Sequence, residues 1–355
     1  MKDCFWEERK VLLTGHTGFK GTWMTLMLEY LGAKVCGYSL PIEPNSFYKS
    51  VRPHVVKCVE ADIADQNIVA NTINDYKPEI VFHFAAHSSL QGSMEIPAYI
   101  LKTNLLGTLN ILEAARHSDT VSAIVVVTSD KCYLNFNTNG AYKEESVLWA
   151  TDPYSSSKVG QELLSACYRD TFFQNKDYPI AIATARASNV VGPGDYNYTR
   201  LFPHIFDCFV NGRIPEIRNP HAIRPWQYVL DVLYGYLLLA ERLYRNADKT
   251  TEYNGAYNFG PSDDGYVDVE YVTKVVSRCF ENAPYKIISG QDHIPKETKV
   301  LMLDSTKAQK SLNWYPKYSI EKALEETAKF IRAEKRGFDR YDLARTMVSD
   351  YLKME

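Results

Sequence analysis

Tyr154 and Lys158 stand four residues apart in "DPYSSSKVGQELLSACYRDTFF", a stretch that reads as a helix, so their side chains share one face. An ammonium beside a phenol, aided by a positive nicotinamide ring, lowers the phenol's pKa. The phenolate then accepts a hydroxyl proton while hydride leaves the same carbon. A second reactive group follows a run of valines in "VVVTSDKCY": Ser129, Asp130 and Lys131. At the carboxyl edge of a parallel sheet, a hydroxyl there can hold the oxygen that Tyr154 deprotonates. The adjacent acid and amine can then move protons at neighbouring carbons. The competing reading is a solvated strand end with a local Asp130–Lys131 ion pair. The residues alone leave both readings open.

Hydride chemistry needs a dinucleotide, and Gly15, Gly18 and Gly21 form a GxxGxxG with Thr17 and Phe19 between them. Glycine lets the backbone approach a pyrophosphate, and a helix N-terminus offers it free N–H groups. The second strand ends "GYSLPIEP" without an acid for the adenosine ribose. Glu43 and Arg52 come later, so this position does not separate NAD from NADP. Asp62, with Ile63 beside it, ends the third strand; Asp62 is either an adenine contact or a helix-capping acid.

These groups have to be positioned by regular elements. "KVLLTG", "AKVCGYSL", "VVKCVEADIAD", "PEIVFHFAA", "VSAIVVVTSD" and "YPIAIATARASNVVGPG" read as six strands. Between them lie the helical patterns "TWMTLMLEYLGA", stopped by Gly32, "QNIVANTINDYK" and "AYILKTNLLGTLNILEAARHS". Asp152 and Pro153 are a plausible cap and first turn for the helix that carries Tyr154. Near-continuous apolar strands alternating with helices predict an α/β fold: a doubly wound parallel Rossmann sheet with a smaller mixed α/β C-terminal lobe. Residues 1–195 are expected to bind the dinucleotide, with crossing segments returning at roughly 225–260, and residues 196–355 mainly form the substrate lobe.

The 355 residues carry a net charge of −3 and no basic run, which argues against nucleic acid as a partner. Seven dispersed cysteines without a CxxC pair suggest reduced thiols in a cytoplasmic setting, with neither a disulfide framework nor a metal site. "MKDCFWEERK" lacks the apolar core of a signal peptide, and "VLYGYLLLAERLY" is too short to span a bilayer, so no membrane association is expected.

Together, "TGHTGFKG", "FHFAA", "TSDKCY", "YSSSK", "RASNVVGPGD", "RPWQYVLD" and "LDSTKAQKSLNWYPKYSIEKAL" resemble the extended short-chain dehydrogenase/reductase superfamily, which acts mainly on nucleotide sugars. The resemblance covers almost the whole chain. Epimerases of the superfamily carry a hydroxyl-rich run after the fifth strand, whereas dehydratases for dTDP- and GDP-sugars carry Asp-Glu. Dehydratases acting on CDP-hexoses carry Asp-Lys, as Asp130 and Lys131 do here.

The resemblance implies NAD as cofactor and conversion of CDP-glucose to a 4-keto-6-deoxy sugar. Tyr154 and Ser129 would act at O4, Asp130 would protonate the departing O6, and Lys131 would serve the elimination in place of the usual glutamate. A lysine is a base only when neutral. The resemblance further implies that Ala85 and Ala86 line the cofactor and that Asn189 lies near the substrate phosphates. Arg224 would clamp the substrate pyrophosphate, with Arg218 a second candidate; either arginine also reads as a surface ion pair. "HSSLQGSMEIP" departs from the Gln-Pro-Leu-Val-Arg run of the CDP-hexose branch, placing His87, Ser88, Ser89 and Gln91 beside the sugar pocket. His87 is either a substrate or cofactor contact or a polar loop residue. A homodimer is implied as well. A nucleotide-sugar 4-epimerase and a non-catalytic NAD-binding sensor are the alternatives.

Overall fold

Period-two alternation inside the apolar runs sends side chains to two separate cores. Val11 and Leu13 enter one and Leu12 the other; Val125 and Val127 likewise oppose Ile124 and Val126. The computed structural model describes residues 4–88, 90–135, 140–174, 179–247, 252–288 and 301–354. Its strands are β1 Lys10–Thr14, β2 Lys34–Ser39, β3 Lys57–Glu60, β4 Ile80–His83, β5 Ala123–Val127, β6 Ala181–Ala187, β7 Asn189–Val191, β8 Glu216–Ile217, β9 Ile223–Tyr228, β10 Gly255–Phe259, β11 Tyr266–Asp268 and β12 Lys286–Ile287. The helices are α1 Phe19–Tyr30, α2 Phe47–Val51, α3 Gln66–Tyr76, α4 Leu90–Glu95, α5 Pro97–Leu101, α6 Gly107–Arg116, α7 Pro153–Tyr168, α8 Leu201–Val210, α9 Val229–Arg245, α10 Val269–Cys279, α11 Thr306–Leu312, α12 Ile320–Lys335 and α13 Arg340–Lys353.

The large sheet runs β10-β6-β5-β4-β1-β2-β3, and every pairing in it is parallel. One face packs against α1 and α9, the other against α3, α6 and α7. The strand order reverses between β1 and β4, which opens a crevice at their carboxyl ends where such sheets take their ligands. The expected helix signals act where the residues place them. Asp152 accepts the Ser155 N–H at 2.8 Å ahead of Pro153, and Gly32 takes a φ of +79° just past α1.

The expected sixth strand divides at Ser188. β6 stays in the large sheet, while β7 joins a smaller one ordered β11-β9-β7. The cause is a buried amide. Gln227 of β9 donates to the Ser188 hydroxyl at 2.6 Å and to the Phe259 carbonyl at 2.8 Å, binding the break to both sheets. The smaller sheet, the β12-β8 pair, α8, α10 and α12 build the C-terminal lobe. Buried Asp231 of α9 accepts from Tyr351 at 2.6 Å and from the backbone of Lys317 and Tyr318, so α13 closes back over the first helix layer.

Candidate active site

The glycine turn lies at the mouth of the crevice. Gly15 has a φ of +70°, and a Cβ there would stand 2.8 Å from the Ala85 nitrogen. A Cβ on Gly21 would come 2.0 Å from the Gly15 carbonyl oxygen. Gly18 is the N-cap of α1; no side chain caps that terminus and its first turn carries no acid. Exposed backbone, a positive helix end and no competing anion suit a dinucleotide pyrophosphate. Thr17 and the half-buried Phe19 lie within this turn. The Ala85 backbone lies against Gly15, with its N–H on the Thr14 hydroxyl at 3.1 Å, and Ala86 follows it, half-buried.

Beyond the carboxyl end of β3, Asp65 is the cap of α3, accepting from Ile68 at 3.1 Å. Asp62 instead turns its carboxylate to the Ala64 N–H at 2.9 Å, and its carbonyl accepts from Tyr38 at 2.9 Å. The capping alternative for Asp62 therefore falls away. Ile63 is buried against Gly107.

Tyr154 and Lys158 project from the first turns of α7, with the Lys158 ammonium 5.9 Å from the phenol ring centroid. Lys158 donates to the Val127 carbonyl at 3.1 Å and to Gln161 at 2.8 Å. Burial, reinforced by the charge of Lys20, pushes it down to about 7. Burial pushes the Tyr154 phenol up to about 12. The Ser129 hydroxyl, in hydrogen-bonding reach, and Arg200 pull it back.

β5 ends at Val127, and a tight 3₁₀ turn over Asp130–Cys132 follows. Ser129 caps that turn by accepting the Lys131 N–H at 3.2 Å. The same hydroxyl donates to Asp130 Oδ1 at 3.1 Å. Asp130 is buried, and its Oδ2 has no partner. Burial raises its pKa against the pull of Lys131, Ser129, Lys20 and Arg224. The turn therefore holds a carboxyl whose charged form is disfavoured by burial, with one oxygen unengaged. Lys131 is half-buried beside it.

Several neighbours lie outside the motifs that the sequence singled out. Lys20 stands between Gly18 and Gly21, and its charge acts on both Asp130 and Lys158. Arg200 pairs with Asp195 at 2.9 Å and reaches Ser88 at 3.0 Å. Asn104 sits in a π turn, Lys102–Leu106, between α5 and α6. It accepts the His87 N–H at 2.8 Å and donates to Ser157 at 2.8 Å, tying the loop after β4 to α7. The π turn was the missed signal: such turns mark functional positions, but the residue pattern around Asn104 reads as an uninterrupted helix.

Beneath Thr128, Glu162 accepts from Thr128, from Thr184 at 2.7 Å and from Arg186 at 2.7 Å, all buried. Arg186→Met is expected to cost about 3–5 kcal/mol, because it leaves the Glu162 carboxylate buried and unpaired. Urea unfolding of the variant checks this.

Of the substrate candidates, Arg224 is buried on β9, donates to the Ile223 carbonyl at 2.9 Å and lies in the field of Asp130. Asn189 is half-buried on β7, paired in register with Trp226 of β9. Arg218 is exposed just beyond β8. His87 is half-buried with its Nδ1 unpartnered, edge-on to Tyr99. Ser88 is exposed, whereas Ser89 and the side chain of Gln91 lie outside the described residues.

The chain is similar to several known proteins. The family model described as GDP-mannose 4,6 dehydratase matches residues 12–327. The chain is 38% identical to CDP-glucose 4,6-dehydratase of Salmonella typhimurium, over 98% of this chain and 97% of that one. It is 28% identical to UDP-glucose 4-epimerase of Mycoplasma pneumoniae, over 91% of this chain and 96% of that one. Among solved structures it resembles the fold of dTDP-glucose 4,6-dehydratase from Bacillus anthracis in complex with NAD. The TM-score is 0.75 at 21% identity, covering 93% of this chain and 98% of that one.

Proposed function

The chain belongs to the GDP-mannose 4,6-dehydratase family, and from that premise we propose that it is an NAD-dependent nucleotide-sugar 4,6-dehydratase whose substrate is CDP-glucose. The substrate rests on the 38% identity to a CDP-glucose enzyme over nearly the full length of both chains. Asp130 is the observation that favours dehydration over epimerisation. An epimerase needs Tyr154 and the cofactor; it has no use for a buried carboxyl of raised pKa with an unpartnered oxygen next to the Ser129 hydroxyl.

Bound NAD supplies a hydride acceptor for C4 and, later, a hydride donor for C6. The residues do the rest. Ser129 and Tyr154 hold O4, and Tyr154 takes its proton. The ketone acidifies the C5 proton, and Asp130 protonates O6 so that it leaves as water. Lys131 serves the elimination from the same turn. Arg224 holds the substrate pyrophosphate as Asn189 approaches it, and Arg218 extends that surface. Gly15, Thr17, Gly18, Phe19 and Gly21 take the cofactor's pyrophosphate, Ala85 and Ala86 line its path, and Asp62 and Ile63 meet its adenine end.

Incubation with CDP-glucose and other hexose nucleotides, followed by product mass, tests the reading. A product lighter by one water is expected. A stereoisomer of unchanged mass would show an epimerase, and no conversion of any hexose nucleotide would leave the sensor.

The free cysteines suit a cytosolic setting, and among the described residues no helix is long and apolar enough to cross a membrane. Tyr99, Leu106 and Leu163, on the α5–α6 segment and α7, are 41%, 42% and 60% exposed. Large apolar groups on neighbouring helices support a two-fold pairing of these helices into a homodimer. Light scattering should therefore give twice the chain mass, and Leu163→Glu should shift it toward the monomer.

A further inference from the structure

The dehydration cycle leaves a proton in the wrong place, and the geometry around Ser129 offers a way to move it. This argument rests on the dehydratase reading above. In one turnover Tyr154 gains the O4 proton, while Asp130 loses its own to O6. The C5 proton passes to the Lys131 amine and returns from it to C5 when hydride reaches C6, so that exchange balances itself. What remains is a phenol where a phenolate must be and a carboxylate where an acid must be. Neither group can begin another turnover until one proton has passed from Tyr154 to Asp130.

Asp130 is buried, so bulk water is poorly placed to return its proton, while Tyr154 is half-buried on the opposite side of the Ser129 hydroxyl. Ser129 touches both. Its hydroxyl donates to Asp130 Oδ1 at 3.1 Å and is within hydrogen-bonding reach of the Tyr154 phenol. We propose that Ser129 is a proton relay that resets the enzyme, carrying the proton taken from O4 at Tyr154 back to Asp130.

The step balances. The phenol O–H breaks as its proton passes to Ser129 Oγ, while the Ser129 proton passes to Asp130 Oδ1. The products are a phenolate, an intact hydroxyl and a carboxylic acid. A half-turn of the carboxyl about its soft terminal torsion then presents the new O–H where Oδ2 had been. The unpartnered Oδ2 fits this scheme: one oxygen faces the relay and the other is left for O6. Lys20 and Arg224 place positive charge near the carboxylate while it waits.

Comparison of single-turnover and steady-state rates in Ser129→Ala tests the relay. Ser129 also holds O4, so both rates fall. With the relay broken, the steady-state rate should fall a further tenfold or more below the variant's own single-turnover rate, the scale of a lost proton-transfer group. A small weak acid in the buffer should restore the difference, and Ser129→Thr, which keeps the hydroxyl, should need no rescue. Should Ser129→Ala fail to fold, the wild-type rate in mixed light and heavy water serves instead. Curvature in the steady state that is absent from the single turnover supports two protons moving in the reset; equal linearity in both overturns it. A wild type that dehydrates CDP-glucose, with a Ser129→Ala variant whose two rates fall equally and ignore the buffer acid, overturns the relay alone. A wild type that converts no hexose nucleotide overturns the dehydratase reading and the relay with it.

Discussion

Asp130→Asn is expected to slow product formation about a thousandfold while leaving the first hydride step nearly intact. Asparagine keeps the shape and can still take the Ser129 hydrogen bond, but it cannot give a proton to O6. With a hexose nucleotide present, the variant should accumulate the reduced nicotinamide chromophore and the enzyme-bound 4-ketone. Rapid mixing followed by acid quench and mass analysis distinguishes that state from a dead enzyme. The pH profile carries the same sign. Burial raises the Asp130 pKa, so the acid is present below its folded pKa and is lost as pH rises through it. Wild-type elimination should therefore fall on the alkaline side, whereas the residual rate of the variant should not follow that limb. The stability prediction runs the other way. Above its pKa the wild type buries a carboxylate and the variant does not, so the variant should gain thermal stability relative to the wild type as pH rises. Equal loss of the ketone-forming and elimination steps would mean that Asp130 shapes the site rather than donating the proton.

Much of the candidate site is local in sequence, which is why its groups are legible there. Tyr154 and Lys158 share a helix turn, Ser129 to Lys131 share a strand end, and the glycines share one loop; spacing fixes each group by itself. The strands were legible because burial on both faces leaves continuous apolar runs. Contacts made by tertiary packing could not be read this way. Asn104 meets His87 and Ser157 only because a π turn rotates it inward. Lys20, in the first turn of α1 between Gly18 and Gly21, reads as an ordinary surface lysine until the fold sets it in the field of Asp130. The break between β6 and β7 depends on Gln227, nearly forty residues downstream. Asp62 and Asp65 are equally good capping residues by composition, and only the path of the chain shows that Asp65 takes the cap.

Tyr154→Phe should show the opposite pattern to Asp130→Asn: kcat lower by about three to four orders of magnitude, nucleotide affinity nearly unchanged, and no reduced nicotinamide at any time. The phenyl ring keeps the packing at the start of α7, and the pyrophosphate contacts lie elsewhere, so binding has little reason to change. What is lost is the phenol that the proposed mechanism assigns to the O4 proton. Lys158 cannot substitute for it, because its ammonium is committed to the Val127 carbonyl and Gln161. Calorimetric titration with CDP should give near-wild-type affinity, and stopped-flow absorbance should stay flat after mixing with CDP-glucose. The double variant decides the order of events. If Tyr154 acts first and Asp130 second, adding Asp130→Asn to Tyr154→Phe changes the rate very little, since the step that Asp130 serves is never reached. Multiplicative losses would mean that the two residues act on the same barrier, and oxidation and elimination would then have to be written as one concerted event.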